Sequence, residues 1–221
     1  MRVLRKFETI LFDLDGTLLD TAPDLLEALN FVLKKEGWPV VYLENYRDHM
    51  SIGATKLIKL ATKNKFDGLK LQSLTEDFLN YYEANLCVFS QPFVGITKVL
   101  NAIENRGIKW GIVTNKQSRF TSKLINSIKW TSRCQCVVSG DTLQLAKPHP
   151  EPLLYAAKQL DTSPQSCLYV GDAATDCQAA KAAGMEFLLA RYGYLPFTLN
   201  TKSWTKIGEV ENAEDIINWI D

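Results

Sequence analysis

The chain has 221 residues, enough for one sizeable core plus an inserted unit at the usual ~100–200 residues per domain. Hydrophobic residues make up 46% and charged residues 23%, an ordinary globular composition that excludes a disordered chain, a collagen, a coiled coil and a disulfide scaffold. Twenty-five Lys+Arg balance twenty-five Asp+Glu for a formal net charge of zero, so no global basic field exists to gather nucleic acid, and the placement of the charges has to carry the chemistry.

The opening, MRVLRKFETILFDLDG, sets basic residues before an apolar stretch. Glu8 and Asp13 interrupt that stretch before it reaches the ~7–15 residues of a signal-peptide core. No apolar run approaches the ~18–20 residues that span a bilayer, so the expectation is a cytoplasmic protein with no membrane partner. The first strand is predicted over Thr9–Leu14. From residue 20 to 90 no strand candidate follows. The expected elements there are a helix with Pro23 in its first turn and Leu25, Leu26, Leu29, Val32 and Leu33 on one face, a second over about Glu44–Met50, a third over Ala54–Thr62 and a fourth over Leu74–Cys87. An all-helical block placed after a single strand reads as an inserted domain, residues 20–90, within a core made of residues 1–19 and 91–221.

Beyond that block two textures alternate. Short runs rich in β-branched residues predict buried strands at Lys109–Val113, Cys136–Val138, Cys167–Val170 and Phe187–Ala190. Helices are predicted over Thr97–Gly107, with Thr97 as its cap and Gly107 as its stop, and over Ser118–Ile128, Glu151–Leu160, Thr175–Gly184 and Ala213–Ile220. Strand–helix alternation at this pitch predicts an α/β domain with a parallel sheet flanked by helices. The five cysteines, Cys87, Cys134, Cys136, Cys167 and Cys177, are odd in number and scattered, which fits free thiols in a reducing compartment.

The chemistry-bearing residues stand where these strands end. The first strand runs into Asp13-Leu14-Asp15-Gly16-Thr17. Alternate residues of a strand share a face, so the two carboxylates leave it pointing the same way. Ligands of open α/β sheets bind outside the carboxyl ends of strands, and two adjacent carboxylates there require a cation, a shared proton, or both. The strand at 109–113 ends in Thr114-Asn115-Lys116, a hydroxyl and an amide suited to an oxyanion. Lys147 lies in Ala-Lys-Pro-His-Pro, where the following prolines stiffen the loop and make the lysine a fixed cation suited to phosphate. His149, between the prolines, is expected to make only a local hydrogen bond. The strand at 167–170 runs into Gly171-Asp172, with Asp176 four residues on. That density of hard oxygen donors suits Mg2+ rather than zinc or copper.

In this order, DxDGT, TN, KP and GDxxxD, the motifs resemble those of the haloacid dehalogenase-like (HAD) phosphatase superfamily over the whole chain. The resemblance implies a Rossmann-like core with an inserted four-helix cap. It implies that Asp13 is a nucleophile forming an aspartyl-phosphate and that Asp15 is the general acid and base. Thr114, Asn115 and Lys147 would bind phosphate. Mg2+ would be held by Asp13, Asp172 and the Asp15 backbone carbonyl, with Asp176 acting through water or the inner ligands. By position, Arg47, His49 and Gly53 fall in the substrate-specificity loop of the cap. Four carboxylates against one lysine would repel a phosphate dianion by roughly 4 kcal/mol per unit pair at ~4 Å and an effective dielectric near ~20, so the metal is expected to be required.

Within the superfamily, LFDLDGTLLDTAPD, VTNK and GDAATDCQAAKAAGM are similar to phosphoglycolate phosphatases. RDHMSIGA, VTNKQSRFTSKLI and ARYGYL are similar to N-acetylmuramic acid 6-phosphate phosphatases. The expected partner is a small phosphorylated metabolite, with the oligomeric state open between monomer and homodimer. Two rivals are set against this reading. A sugar phosphomutase would share every catalytic residue but needs a basic cap pocket for a second phosphate. A phospho-aspartate switch carries its acidic cluster and phosphorylated aspartate on different strands and has no cap.

Overall fold

The computed structural model describes residues 7–196 and 198–220; the basic opening, residues 1–6, lies outside them. The chain divides into two compact units, Met1–Leu19 with Pro92–Asp221 and Asp20–Gln91. Among the described residues no helix is long and apolar enough to cross a membrane.

Strand β1, Thr9–Phe12, is buried at all four positions. It ends two residues short of the expected Leu14, because the chain turns into a tight loop where the amides of Thr17, Leu18 and Leu19 all donate to the Leu14 carbonyl. Two-residue strands β2, Leu19–Asp20, and β3, Gln91–Pro92, pair with each other and stand at either end of the helical unit.

The helical unit contains α1, Ala22–Lys35, α2, Leu43–Tyr46, α3, Ala54–Ala61, and α4, Gly68–Ala84. Its interior is formed by Leu29, Val32 and Leu33 of α1 with Leu57 and Ile58 of α3 and Leu71, Leu74, Phe78 and Tyr82 of α4. Leu25 and Leu26 are only half-buried. The second helix does not run unbroken from Glu44 to Met50: it is α-helical to Tyr46 and winds as a 3-10 helix over Arg47–Ile52. Met50 is the one buried residue in that stretch, too little apolar face to hold regular α geometry. The fourth helix starts a turn and a half before Leu74, because Leu71 already faces the interior. Buried Asp24, in the first turn of α1, accepts hydrogen bonds from the Phe89 and Ser90 amides and the Ser90 hydroxyl, tying the end of this unit to its beginning.

The other unit continues with α5, Ile96–Asn105, β4, Lys109–Val113, α6, Ser118–Ser127, β5, Cys136–Val138, α7, Glu151–Gln159, β6, Cys167–Gly171, α8, Ala174–Ala183, β7, Glu186–Ala190, and β8, Gly208–Val210. The six-stranded sheet has the order β5-β4-β1-β6-β7-β8, with every neighbouring pair parallel. After β1 the chain builds outward through β4 and β5, then returns to the other side of β1 for β6. Strand β1 therefore lies at the topological switch point, where open parallel sheets leave a crevice at their carboxyl edge. Helices cover both faces, so these strands read as continuous apolar runs rather than as alternation.

Two local expectations are corrected, and one strand was not anticipated. Helix α5 is capped by Gly95 in the left-handed region, not by Thr97; a Cβ at Gly95 would lie 2.4 Å from Glu214 Cγ, so close approach selects glycine there. The segment Ala213–Trp219 is a 3-10 helix rather than an α-helix. Ala213 and Ile216 are buried and Trp219 half-buried, the three-residue spacing that a 3-10 turn aligns. Strand β8 has only three residues with Glu209 at its centre, too short for a periodic signal.

One face of the sheet centres on Trp110, fully buried. It makes edge-on contacts with Phe12 at 6.5 Å and Trp130 at 6.0 Å between ring centroids, while its indole N–H donates to Glu104 of α5 at 3.0 Å. Truncation leaves a cavity and removes one donor from Glu104, which keeps its pair with Arg133. Trp110→Ala is expected to cost about 3–5 kcal/mol in urea unfolding, whereas Tyr42→Ala, at a residue 62% exposed, should change stability by less than about 0.5 kcal/mol.

Candidate active site

Parallel register carries the functional residues to one edge. Phe12 is level with Ile112 and Val170. Asp13 then continues the ladder by donating its amide to the Val170 carbonyl at 2.9 Å, and Thr114 does the same to Val138 at 2.9 Å. Asp172 follows the end of β6 directly. Gly16, at φ +84°, returns the loop after β1 against β6; a Cβ there would lie 2.2 Å from Asp172 Oδ2. Asp172 is oriented by two donors, the Thr17 hydroxyl at 3.0 Å and the Tyr194 amide at 2.7 Å.

Lys147 occupies the centre. Its ammonium reaches Asp13 Oδ1 at 2.9 Å, Asp176 Oδ1 at 2.7 Å, the Val113 carbonyl at 2.9 Å and the Tyr169 hydroxyl at 2.7 Å. The loop that presents it is clamped by Asn115, whose side chain donates to the Lys147 carbonyl at 2.9 Å and accepts from the Lys147 amide at 3.0 Å. Asp176 is engaged at both oxygens. Oδ1 faces Lys147 and Tyr169, and Oδ2 accepts the Ala173 amide at 2.9 Å at the start of α8. Burial alone would lower the Lys147 pKa, but Asp13 and Asp176 outweigh it and hold the ammonium above its ordinary value.

Ligand oxygens of Asp13, Asp172 and Asp176 all lie within 4.8 Å of one another. Burial pushes the Asp13 carboxyl up to about 6, with Lys147 opposing and Asp176 and Asp15 adding to the rise. Burial, then Asp13 and Asp176, push Asp172 well above the carboxylate range. One lysine therefore does not neutralise this cluster. An all-oxygen donor set of that density fits a hard divalent cation.

Asp13, Thr114, Asn115, Lys147, Asp172 and Asp176 are thus brought to one place. Asn115 serves there through its clamp on the lysine loop. The Asp15 carboxylate is held by Lys116, whose Nζ lies 2.9 and 3.2 Å from its two oxygens. Thr114 is buried, and its hydroxyl accepts the Lys116 amide at 3.2 Å. His149 has the local role expected of it, accepting the Glu151 amide at Nδ1. The remaining three candidates lie in the helical unit. Arg47 forms a two-pronged pair with Asp20 at 3.0 and 2.8 Å, His49 is half-buried, and Gly53 adopts φ +92°. Three side chains at the site escaped the sequence reading: Lys116, Thr17 and Tyr169. Lys116 and Thr17 sit inside quoted motifs, but nothing in the sequence says which carboxylate each one meets. Tyr169 reads simply as a strand residue.

The model of the haloacid dehalogenase-like hydrolase family matches residues 10–190. A phosphoglycolate phosphatase from Xylella fastidiosa is 43% identical over 196 residues, which cover 89% of this chain and 85% of that protein. An N-acetylmuramic acid 6-phosphate phosphatase from Pseudomonas aeruginosa is 34% identical over 216 residues, 98% of this chain and 96% of that one. The crystal structure of a predicted phosphoglycolate phosphatase from Haemophilus somnus superposes with a TM-score of 0.85 at 24% identity, covering 97% of this chain and 98% of the other; it shares the fold.

The contact of Gly16 with Asp172 is open to a controlled test. Gly16→Ala is expected to lose about 1–3 kcal/mol through backbone strain and further stability through the clash. It should also lose the rise in melting temperature produced by a divalent cation. Gly37→Ala has a similar φ of +70° with nothing within 4 Å, so it should show the strain alone and keep the cation effect.

Proposed function

This chain belongs to the haloacid dehalogenase-like hydrolase family, and from that premise we propose that it is a Mg2+-dependent phosphomonoesterase that hydrolyses 2-phosphoglycolate to glycolate and phosphate through a phosphorylated Asp13. The observation that carries the reading is the convergence of Asp13, Asp172 and Asp176 within 4.8 Å around Lys147. A nucleophile, a cation site and a fixed ammonium are what transfer of a phosphoryl dianion needs. The name of the 43%-identical relative supports the choice of substrate. A second reading, N-acetylmuramic acid 6-phosphate, is supported by the relative whose similarity runs nearly end to end. Five free cysteines are consistent with a reducing cytoplasm.

In the proposed reaction a carboxylate oxygen of Asp13 attacks phosphorus as the ester P–O bond breaks. Asp15 gives its carboxyl proton to the departing alkoxide, which leaves as the alcohol. The Asp15 carboxylate then takes a proton from water. The water oxygen attacks phosphorus, the bond to Asp13 breaks, and inorganic phosphate leaves. Lys147, the Thr114 hydroxyl and backbone amides around Leu14–Gly16 hold the phosphoryl oxygens. Asp176 keeps Lys147 in place. Mg2+ held by Asp13, Asp172 and the Asp15 carbonyl would neutralise the carboxylates that otherwise repel the substrate. The helical unit is proposed as the cap that selects the leaving group, with His49 and Gly53 as its candidate residues and Arg47 contributing through its pair with Asp20.

A Mg2+-dependent phosphate-release panel should include 2-phosphoglycolate, N-acetylmuramic acid 6-phosphate and hexose phosphates. One of the first two should stand clearly above the rest in kcat/KM. If neither does, both substrate assignments fail and only the reaction class stands. Asp13→Asn should fall by at least ~10³ in kcat; near-normal turnover would refute the covalent route.

Protonation gives a test independent of activity. The folded Asp13 carboxyl titrates at about 6 against an ordinary 3.8. Its contribution to stability in EDTA is therefore full below the lower value and lost as pH rises through the higher one. Mg2+ needs the ionised carboxylates, so the gap in melting temperature between Mg2+ and EDTA should widen from about pH 5 to about pH 7.5. Asp172→Asn should flatten that dependence.

A further inference from the structure

Two lysines with well-covered side chains face this site, and they meet different aspartates. Lys147 is engaged by Asp13, Asp176, Tyr169 and Val113. The Lys116 ammonium instead meets both oxygens of Asp15, at 2.9 and 3.2 Å, with only 8% and 13% of the two side chains exposed. The backbone of Lys116 is itself held firmly. Its amide donates to the Thr114 hydroxyl at 3.2 Å, its carbonyl accepts the Gly140 amide at 2.8 Å, and the neighbouring Asn115 is clamped to the Lys147 loop. The lysine therefore reaches Asp15 from a fixed base. Asp15 sits in the tight loop beyond the end of β1, and both of its carboxylate oxygens lie within reach of this one ammonium. Proton transfer requires that carboxylate within hydrogen-bond reach of the ester oxygen.

We propose that Lys116 is a positioning residue for Asp15, holding the carboxyl group that donates a proton to the leaving oxygen and accepts one from water. This rests on the acid–base role proposed for Asp15. Lys116 touches neither phosphorus nor the phosphoryl oxygens in this scheme. It acts only on the steps in which a proton moves, and a merely structural lysine would not be selective in that way.

The experiment compares two substrates on one set of variants. Glycerol 2-phosphate releases an alkoxide that must be protonated, and the rest of its leaving group bears no ionised group that could pair with Lys116. 4-Nitrophenyl phosphate releases a phenolate stable enough to depart unprotonated. Lys116→Met should lower kcat/KM for glycerol 2-phosphate at least about ten-fold more than for 4-nitrophenyl phosphate, a part of the ~10²–10⁴ that general acid–base catalysis supplies. Lys116→Arg should recover part of that selectivity. The ratio is taken on a single preparation, so any loss of folded protein cancels.

Asp15→Asn is the control. If it shows the leaving-group selectivity and Lys116→Met lowers both substrates equally, or neither, the positioning role is overturned while the role of Asp15 stands. If Asp15→Asn shows no selectivity, the acid–base role fails and the inference falls with it.

Discussion

Three carboxylates, from Asp13, Asp172 and Asp176, come within 4.8 Å of one another at the carboxyl edge of a parallel sheet, and Lys147 is set in their midst. Every other feature of the site answers to that crowding. Like charges at such distances in a partly dry setting repel by several kcal/mol, so the chain must pair them, protonate them or recruit a cation. Lys147 pairs two of the three, and Tyr169 with the Val113 carbonyl completes its shell of oxygens. Asp172 is left with a hydroxyl and an amide as its donors and is driven well above the carboxylate range by burial and its neighbours. The unbalanced charge is what suits the cluster to a divalent cation and sets it apart from an ordinary buried ion pair.

The sheet makes this crowding affordable because it is rigid. Strand β1 is paired on both sides and buried at every position, so Asp13 cannot drift away from Asp172 when they repel. Gly16 and the tight loop after β1 then bring the backbone within reach of the same carboxylate. Asn115 performs the same service from β4, using both ends of its amide to set the height of the Lys147 loop. Stability and function are coupled here: the packing around Trp110, Phe12 and Trp130 that anchors β1 and β4 also fixes the distance between the charges.

Most strands and helices of the α/β unit were legible in the sequence to within a residue or two. Strands Lys109–Val113 and Cys136–Val138 fall at their expected bounds, because buried β-branched runs between turn residues are a strong local signal. The elements that were misjudged had weak local signals or an outside constraint. The N-terminus of α5 is set by the approach of Glu214, more than a hundred residues away. The helix after Tyr46 loses its α geometry for want of an apolar stripe, and β8 is too short to register.

By itself the sequence determined which residues stand at the strand ends, since strand periodicity, turn glycines and prolines are read within a few residues of one another. Tertiary structure alone decided their partners. Lys116 meets Asp15 across 101 positions, Asn115 meets the Lys147 backbone across 32, and Tyr169 meets Lys147 across 22. Those choices follow from strand order and register, which place a side chain in three dimensions through pairings that no local pattern encodes. Charges that cancel to zero in the composition are, in the folded chain, placed unevenly, and at this sheet edge Lys147 lies between Asp13 and Asp176 while Lys116 faces Asp15.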